Sequence, residues 1–447
     1  MWLIELEQLG GQSLYFKQHN KWTYISIMPE FMVDLPDDPV KVLDGLSKKY
    51  DLAARVYFQN IPEIFRQLLV DGMKQGLEGG GLPGGLPLPG GLPEGLPGLD
   101  SEGAELPKQV LKAQLDTLAE QLEETETLTF GASIDRDSKT IVLDIITVAI
   151  EDSQTAQAMS KLAETKTRFG GFLDPEATIS ANIAMTGSSS DIGSLKAMYT
   201  NIKEELLKRI DDVDELPEGQ AKDLVKETMG ELLAIGDATL ESGDVDAGLA
   251  VRGKGPFSIV AGAQVPDGAK FQQWIDHVIE TVETEIGFFG FQKDIDKHGD
   301  IRFHSATIPI PGGETGDKIS EILGDQVEIV FGAGKNSIYI AIAEEEALES
   351  LKKAIVKSEE MAEVVVPPLR AVVSLGPVVK LMTEFSDETD PNMSMLVDAL
   401  KGGKDRIHVT IKPVQRGTNT HIVGEEGLLK AFGTLITSLG PGALPQF

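Results

Sequence analysis

Cysteine is absent from the 447 residues. That excludes disulfides, thiolate metal sites and a cysteine nucleophile, and it leaves the redox compartment open. No apolar run approaches the ~18 residues of a membrane-spanning helix. Basic residues are scarce: 40 Lys and Arg against 71 Asp and Glu give a net charge of −31, with the acids spread along the chain. Such a field repels nucleic acid and anionic headgroups and favours solubility, so no nucleic-acid partner is expected. The first residues, MWLIELEQLGG, have neither the basic region nor the small-residue cleavage site of a signal peptide. There is no Gly-x-Ser-x-Gly elbow and no His-x-x-x-His pair.

What is present reads as globular. With 41% apolar and 25% charged residues the chain is not a disordered one, and its length suits two or three domains or one extended repeat array. Gln326 to Ile342 (QVEIVFGAGKNSIYIAI) reads as two short strands closed by a Gly-Ala-Gly-Lys-Asn turn. The pattern recurs at Gln12 to Ile27 with a constant offset of 315 residues, which places Phe331 on Phe16, Tyr339 on Tyr24, Ile340 on Ile25 and Ile342 on Ile27. The same offset carries Pro377 onto Pro62, each closing a strand.

Taken in order, the chain is expected to open with a short helix at Trp2–Leu9, the hairpin Leu14–Ile27, a helix over Asp37–Lys49 and a strand at Leu52–Phe58. On the 315-residue offset that beginning falls in mid-unit, with an upstream portion, including an export signal, expected to precede it. A helix from Pro62 and one from Pro107 flank the segment 72–98, whose Gly-Leu-Pro repeats suit neither helix nor ladder and read as a mobile connection. A hairpin (Leu128–Ile134, Thr140–Val148) and a helix at Ser153–Glu164 follow. Strand Ala177–Met185, helices Asp191–Ile210 and Ala221–Leu240, hairpin Ala247–Val265 and helix Ala269–Thr284 repeat that order. Then come strand Ile301–Ile310, the hairpin at 326–342 and a helix at Glu345–Lys357. Last are strand Leu369–Leu375, helices over Pro377–Leu400, hairpin Arg406–Val423 and helix Glu425–Ile436. The expected fold class is α+β: tandem β-α(α)-β-β-α units forming largely antiparallel sheets covered by helices. Alternate units are expected to pair into two similar lobes, the first over 1–165 and the second over 166–447.

The candidate sites are few. Asp294, Asp296 and Asp300, in DIDKHGD, echo the start of a calcium loop, but position 5 is His298 and position 12 is Ser305 where a bidentate Glu belongs. They stand as metal candidates of last resort, and the stretch reads as a turn before the strand IRFHSATI. Gly332 to Ser337 resembles part of a phosphate loop but lacks the upstream Gly and the Ser or Thr after Lys335, so it reads as a hairpin turn. The six histidines are scattered, with His408 and His421 on the two arms of the last hairpin and able to face each other. The acidic clusters fall at helix ends, where they offset the helix dipole. No catalytic residue and no cofactor is expected.

The tandem units, the phrase GPFSIVAGAQVPDGAKFQQWI and the Gly-Leu-Pro insert together resemble large exported repeat proteins of planctomycete-type bacteria. That resemblance implies a periplasmic, envelope or secreted location. It leads to the expectation of a non-catalytic exported protein that binds or scaffolds a partner. The alternative is a carrier of lipid or another apolar ligand between a curved sheet and its helices, and the third a hydrolase using dispersed carboxylates. A large apolar cavity under the helices would favour the carrier, and a solid core the scaffold.

Overall fold

The computed structural model describes residues 2–6, 12–26, 29–42, 45–61, 123–186, 193–212, 220–253, 257–281, 290–310, 323–385 and 404–431, with a few isolated residues between them. The 72–98 segment, the helices expected from Pro62 and Pro107 and the C-terminal tail lie outside this set. Sixteen strands are present among the described residues. They are β1 (Trp2–Leu6), β2 (Gln12–His19), β3 (Trp22–Ser26), β4 (Leu52–Tyr57), β5 (Thr125–Asp135), β6 (Thr140–Ala149), β7 (Ile179–Thr186) and β8 (Asp244–Arg252). The rest are β9 (Ser258–Gln264), β10 (Phe291–His298), β11 (Ile301–Pro309), β12 (Gln326–Ala333), β13 (Ser337–Ala343), β14 (Leu369–Ser374), β15 (Arg406–Val414) and β16 (Gly417–Gly424). The helices used below are α1 (Pro39–Val42), α2 (Leu46–Lys49), α3 (Gln154–Lys161), α4 (Gly193–Asp212), α5 (Gln220–Ser242), α6 (Gly268–Thr281), α7 (Ala347–Met361) and α8 (Leu375–Phe385).

Local chemistry accounts for many of these boundaries. The β5–β6 turn closes because the Asp135 carboxylate accepts from the N–H groups of Asp137 (2.9 Å) and Ser138 (3.1 Å), while Lys139 takes a left-handed φ of 55°. Helix α3 starts where Ser153 Oγ accepts from the Ala156 N–H at 3.0 Å. The helix expected over 37–49 is interrupted: Gly45 sits at φ 77° between α1 and α2, a conformation no helix interior tolerates.

Thirteen strands form one sheet in the order β10-β11-β12-β13-β9-β8-β7-β14-β15-β16-β6-β5-β4, every pairing antiparallel, and β1-β2-β3 form a separate small sheet. The mixed α and β class and the antiparallel sheets with helices against them are therefore present. Residues on both sides of position 165 contribute to the large sheet, whose two halves meet where β7 pairs with β14.

Two further expectations fail. Trp2–Leu6 is a strand, paired with β2, where a helix was expected. A run of five residues is too short for periodicity to separate the two, and the neighbouring hairpin edge decides. Asp294 and Asp296 lie in strand β10 rather than in a turn. With only Phe291 and Ile295 apolar, β10 has no strand-like pattern; its backbone pairing to β11 holds it, with a register shift between Gln292 and Asp296 and Asp294 at φ 53°.

One face of the sheet around β8, β9 and β13 is closed. Phe169, Phe172, Phe303, Val330 and Leu351 are fully buried there with Tyr339, under α7 and a short helical turn at Gly170–Phe172. The rings lie flat on backbone: a Cβ on Gly262 would meet Tyr339 at 2.8 Å and Phe169 at 2.9 Å, and one on Gly248 would meet Phe172 at 2.6 Å. The rings of Phe169 and Tyr339 are 5.8 Å apart and tilted. Ser358 Oγ accepts from the Gly171 N–H at 2.9 Å and fastens the turn to α7.

Candidate functional site

The opposite face of the same strands is open. Period-2 alternation sends Ala247 and Leu249 (β8), Ala261 and Ala263 (β9), Ile338 and Ile340 (β13) and Phe331 (β12) to the side away from Tyr339. Helices α5 and α6 cover that side, contributing Leu232, Phe271 and Trp274. Between helices and sheet lies a cleft of about 410 Å³ with apolar walls and an opening to solvent. The floor is low because its centre is alanine and glycine backbone, while the branched and aromatic side chains stand at the edges.

The roof is clipped in place by polar bonds at its rim. Trp274 Nε1 donates to the Thr228 carbonyl at 2.7 Å, joining α6 to α5. His277 Nδ1 meets Glu231 Oε2 at 3.0 Å across the same pair. Tyr199 donates to the Leu233 carbonyl at 2.5 Å and Lys203 pairs with Asp237 at 2.6 Å, joining α4 to α5. Trp274 stacks on Phe271 (5.3 Å, 15°) and meets Phe331 edge-on (5.8 Å, 73°). Helices α5 and α6, braced by α4, thus roof the cleft without filling it. An enclosed void of this size would cost about 10 kcal/mol at ~24 cal/mol per Å³, comparable to a whole domain's stability. Being open, the cleft instead presents apolar surface to water, and any apolar molecule that displaces that water gains ~25 cal/mol per Å² buried.

The other half of the sheet carries a polar centre. Asp144 (β6) is 3% exposed. Its Oδ1 meets His421 Nδ1 at 2.7 Å and Asn419 Nδ2 at 3.1 Å; its Oδ2 accepts from Tyr50 at 2.5 Å and lies 3.1 Å from Lys49 Nζ. Desolvation opposes ionisation, yet the hydrogen bonds from Tyr50, His421, Lys49 and Asn419 prevail and hold the carboxyl below the usual carboxylate range. A buried carboxylate that fixes the Nδ1 side of an imidazole is the arrangement that orients a general base. Here no hydroxyl nucleophile is hydrogen-bonded to His421 among the described residues, and the network ties α2 to β6 and β16. In the same cross-strand row, Arg370 donates to Asn182 Oδ1 at 2.8 Å, and burial depresses its pKa. Its Nε and Asn419 Oδ1 are buried without a hydrogen-bond partner.

The three aspartates singled out in the sequence are dispersed by their partners. Asp296 pairs with Lys352 at 2.6 Å, which, with the Lys297 N–H, keeps its pKa low. Asp300 accepts from the Lys335 N–H at 2.9 Å and so joins two hairpin turns, while the Asp294 N–H donates to His304 Nδ1 at 3.2 Å. No group of three or more His, Asp or Glu is placed to hold a metal among the described residues. His408 and His421 share a face but do not pair: His408 stands opposite Val423 and bonds Glu425 at 3.3 Å. No helix among the described residues is long and apolar enough to cross a membrane.

Sequence reading missed both the cleft and Asp144. A signal existed for each: alanines at alternate positions in a hairpin that also carries Gly248 and Gly262, and one aspartate inside the apolar run IVLDIITV. Compared with known protein families, characterised proteins and solved structures, the chain matches none.

Proposed function

We propose that this protein is a non-catalytic carrier or binder of a small apolar ligand, such as a lipid chain, held between strands β7–β9 and β12–β13 and helices α5–α6. The observation that carries the reading is the 410 Å³ cleft walled by side chains such as Leu249, Ile338, Phe331 and Trp274. Among the described residues no charged side chain lines it, so the part of the ligand it takes is uncharged. Its volume equals roughly 14 waters at ~30 Å³ each, room for a short acyl chain or a compact ring system. A location outside the cytoplasm, in the envelope or beyond it, follows from the resemblance to exported repeat proteins and belongs to the same proposal.

The architecture we propose behind this function is a tandem of β-α(α)-β-β-α units forming two similar lobes. What supports it is the sheet order, in which β11–β13 stand beside β9–β7 and β14–β16 beside β6–β4. In each half the second strands of two hairpins pair with one another.

Native mass spectrometry of the purified chain tests the ligand reading. The expected spectrum shows one small-molecule adduct per chain, or uptake of one added fatty alcohol, and the variant Ala263→Trp loses both. A bare chain that takes up no fatty alcohol or fatty acid would overturn the proposal.

A further inference from the structure

The closed face is recessed at one end, where α7 lies near the turn between β8 and β9. The alternation that sends Gly248 and Gly262 to that face sends Ala250, Arg252, Ser258 and Val260 there too. A recess of about 220 Å³ lies between these residues, the Gly170–Phe172 turn and α7. Its wall is tightly set: a Cβ on Gly171 would meet the Ala354 carbonyl oxygen at 2.2 Å. The recess and the apolar cleft are on opposite faces of the β8–β9 hairpin, so the inference is independent of the ligand reading.

In a chain with 71 acidic and 40 basic residues, the charge of this recess is reversed. Arg252, Lys353 and Lys357 line it with a single carboxylate, Asp174. That carboxylate is already engaged. Its Oδ1 accepts from the Glu176 N–H at 2.9 Å, and its Oδ2 accepts from Arg252 Nε at 2.8 Å and Nη2 at 2.5 Å. The pairing fixes the guanidinium by one edge and leaves Nη1 without a partner among the described residues. Burial opposes ionisation of Asp174, yet these bonds and the charge of Lys357 hold its pKa below the ordinary carboxylate value.

The two lysines come from one side of α7. Ser350, Lys353 and Lys357 are spaced i, i+3 and i+7, flanking the buried stripe of Ala347, Leu351, Ala354 and Ile355. Neither lysine pairs with a carboxylate among the described residues, whereas Lys352, one position away, is joined to Asp296 at 2.6 Å. Lys357 Nζ lies 3.5 Å from the Leu173 carbonyl. Ser258 and Ser350 add hydroxyls with no partner among the described residues.

Three cations less one carboxylate leave a net charge of +2 around a concave space. A phosphate monoester carries about −1.5 to −2 at neutral pH and accepts through three oxygens, which matches that surplus; a single carboxylate would leave one charge over. We propose that this recess binds the phosphate group of a small molecule, with Arg252, Lys353 and Lys357 as cationic donors and Ser258 and Ser350 as hydroxyl donors. At ~30 Å³ per water its volume equals roughly seven waters, room for the phosphate and a short uncharged stem over Phe172 and Val260.

Calorimetry at constant ionic strength, with inorganic phosphate and glycerol 3-phosphate as probes, tests the assignment. One saturable site per chain is expected. Lys353→Gln and Lys357→Gln, at exposed positions, are expected to fold as the wild type does and to bind roughly tenfold or more weakly, the worth of one charge-assisted hydrogen bond. Lys352→Gln removes the same charge from the same helix and is expected to leave the affinity unchanged. Tighter binding of glycerol 3-phosphate than of inorganic phosphate would assign the recess to an ester, and equal or weaker binding to the free ion. No saturable binding of either probe, or a loss in Lys352→Gln as large as in the other two variants, would overturn the proposal.

Discussion

Strands β8, β9 and β13 present two faces made from the same alternation, and the two have opposite fates. On one, Phe169, Phe172 and Tyr339 close over Gly248 and Gly262, and Phe303 over Gly332. On the other, one residue along each strand, Ala247, Ala261 and Ala263 form the floor of an open cleft beneath Phe271 and Trp274. Apolar material is not what the open face lacks. The difference is where bulk is placed: over glycines in the closed face, at the margins of alanines in the open one. The roofing helices are held off by polar bonds at their rim, from Trp274 to the Thr228 carbonyl and from His277 to Glu231. A face that was merely underpacked would collapse, and these clips oppose that.

The comparison breaks most visibly at Phe303. Phe303→Ala is expected to cost about 3–5 kcal/mol, read from the urea midpoint, because it leaves a hole with no solvent path. Asp144→Asn tests whether the closed side continues into the other half through hydrogen bonds. Removing one member of a buried charged network is expected to cost about 3 kcal/mol. Because the folded carboxyl titrates below its unfolded value, its contribution is present above pH ~3.9 and is lost as the pH falls from there toward its folded pKa. The wild type should therefore lose stability over that acidic window, and the Asn variant should lack that part of the loss.

Neighbouring positions on β9 sharpen the contrast further. Gly262→Ala drives a methyl into Tyr339 and Phe169 and is expected to cost about 2 kcal/mol. Ala261→Leu, one residue away on the open face, is expected to change stability by less than ~1 kcal/mol while filling part of the cleft. Equal costs at the two positions would mean that the cleft is already packed. The smallest effect is expected at His277, whose pKa is raised chiefly by its bond to Glu231. Its stabilisation is complete below the unfolded value of about 6.5 and is lost as pH rises through the folded one. Being exposed, the pair moves the melting temperature slightly across that window, and His277→Gln should flatten the slope.

Much of the element order was legible in the sequence because strands such as Thr140–Ala149 and Ser337–Ala343 are bounded by turn chemistry and carry β-branched runs. Helices α4 to α7 were legible too, each expected close to its observed range. Strand β10 was not: eight residues with four charges have no intrinsic preference for a strand, and only β11 beside them supplies one. The cleft was hidden for another reason. Alternation says that Ala261 and Gly262 face opposite ways, but not which side receives Phe169 from the loop before β7 and which receives α6. Asp144 was readable only as an anomaly, since its partners Tyr50 and His421 lie 94 and 277 residues away.

The ligand reading stands or falls on calorimetry with an uncharged chain such as dodecanol, which isolates apolar burial from the protein's negative field. The account predicts one site per chain, a negative heat-capacity change, and binding that is lost in Ala261→Leu while the variant's melting curve stays close to wild type. No saturable heat at any temperature, or binding that Ala261→Leu leaves unchanged, would contradict it.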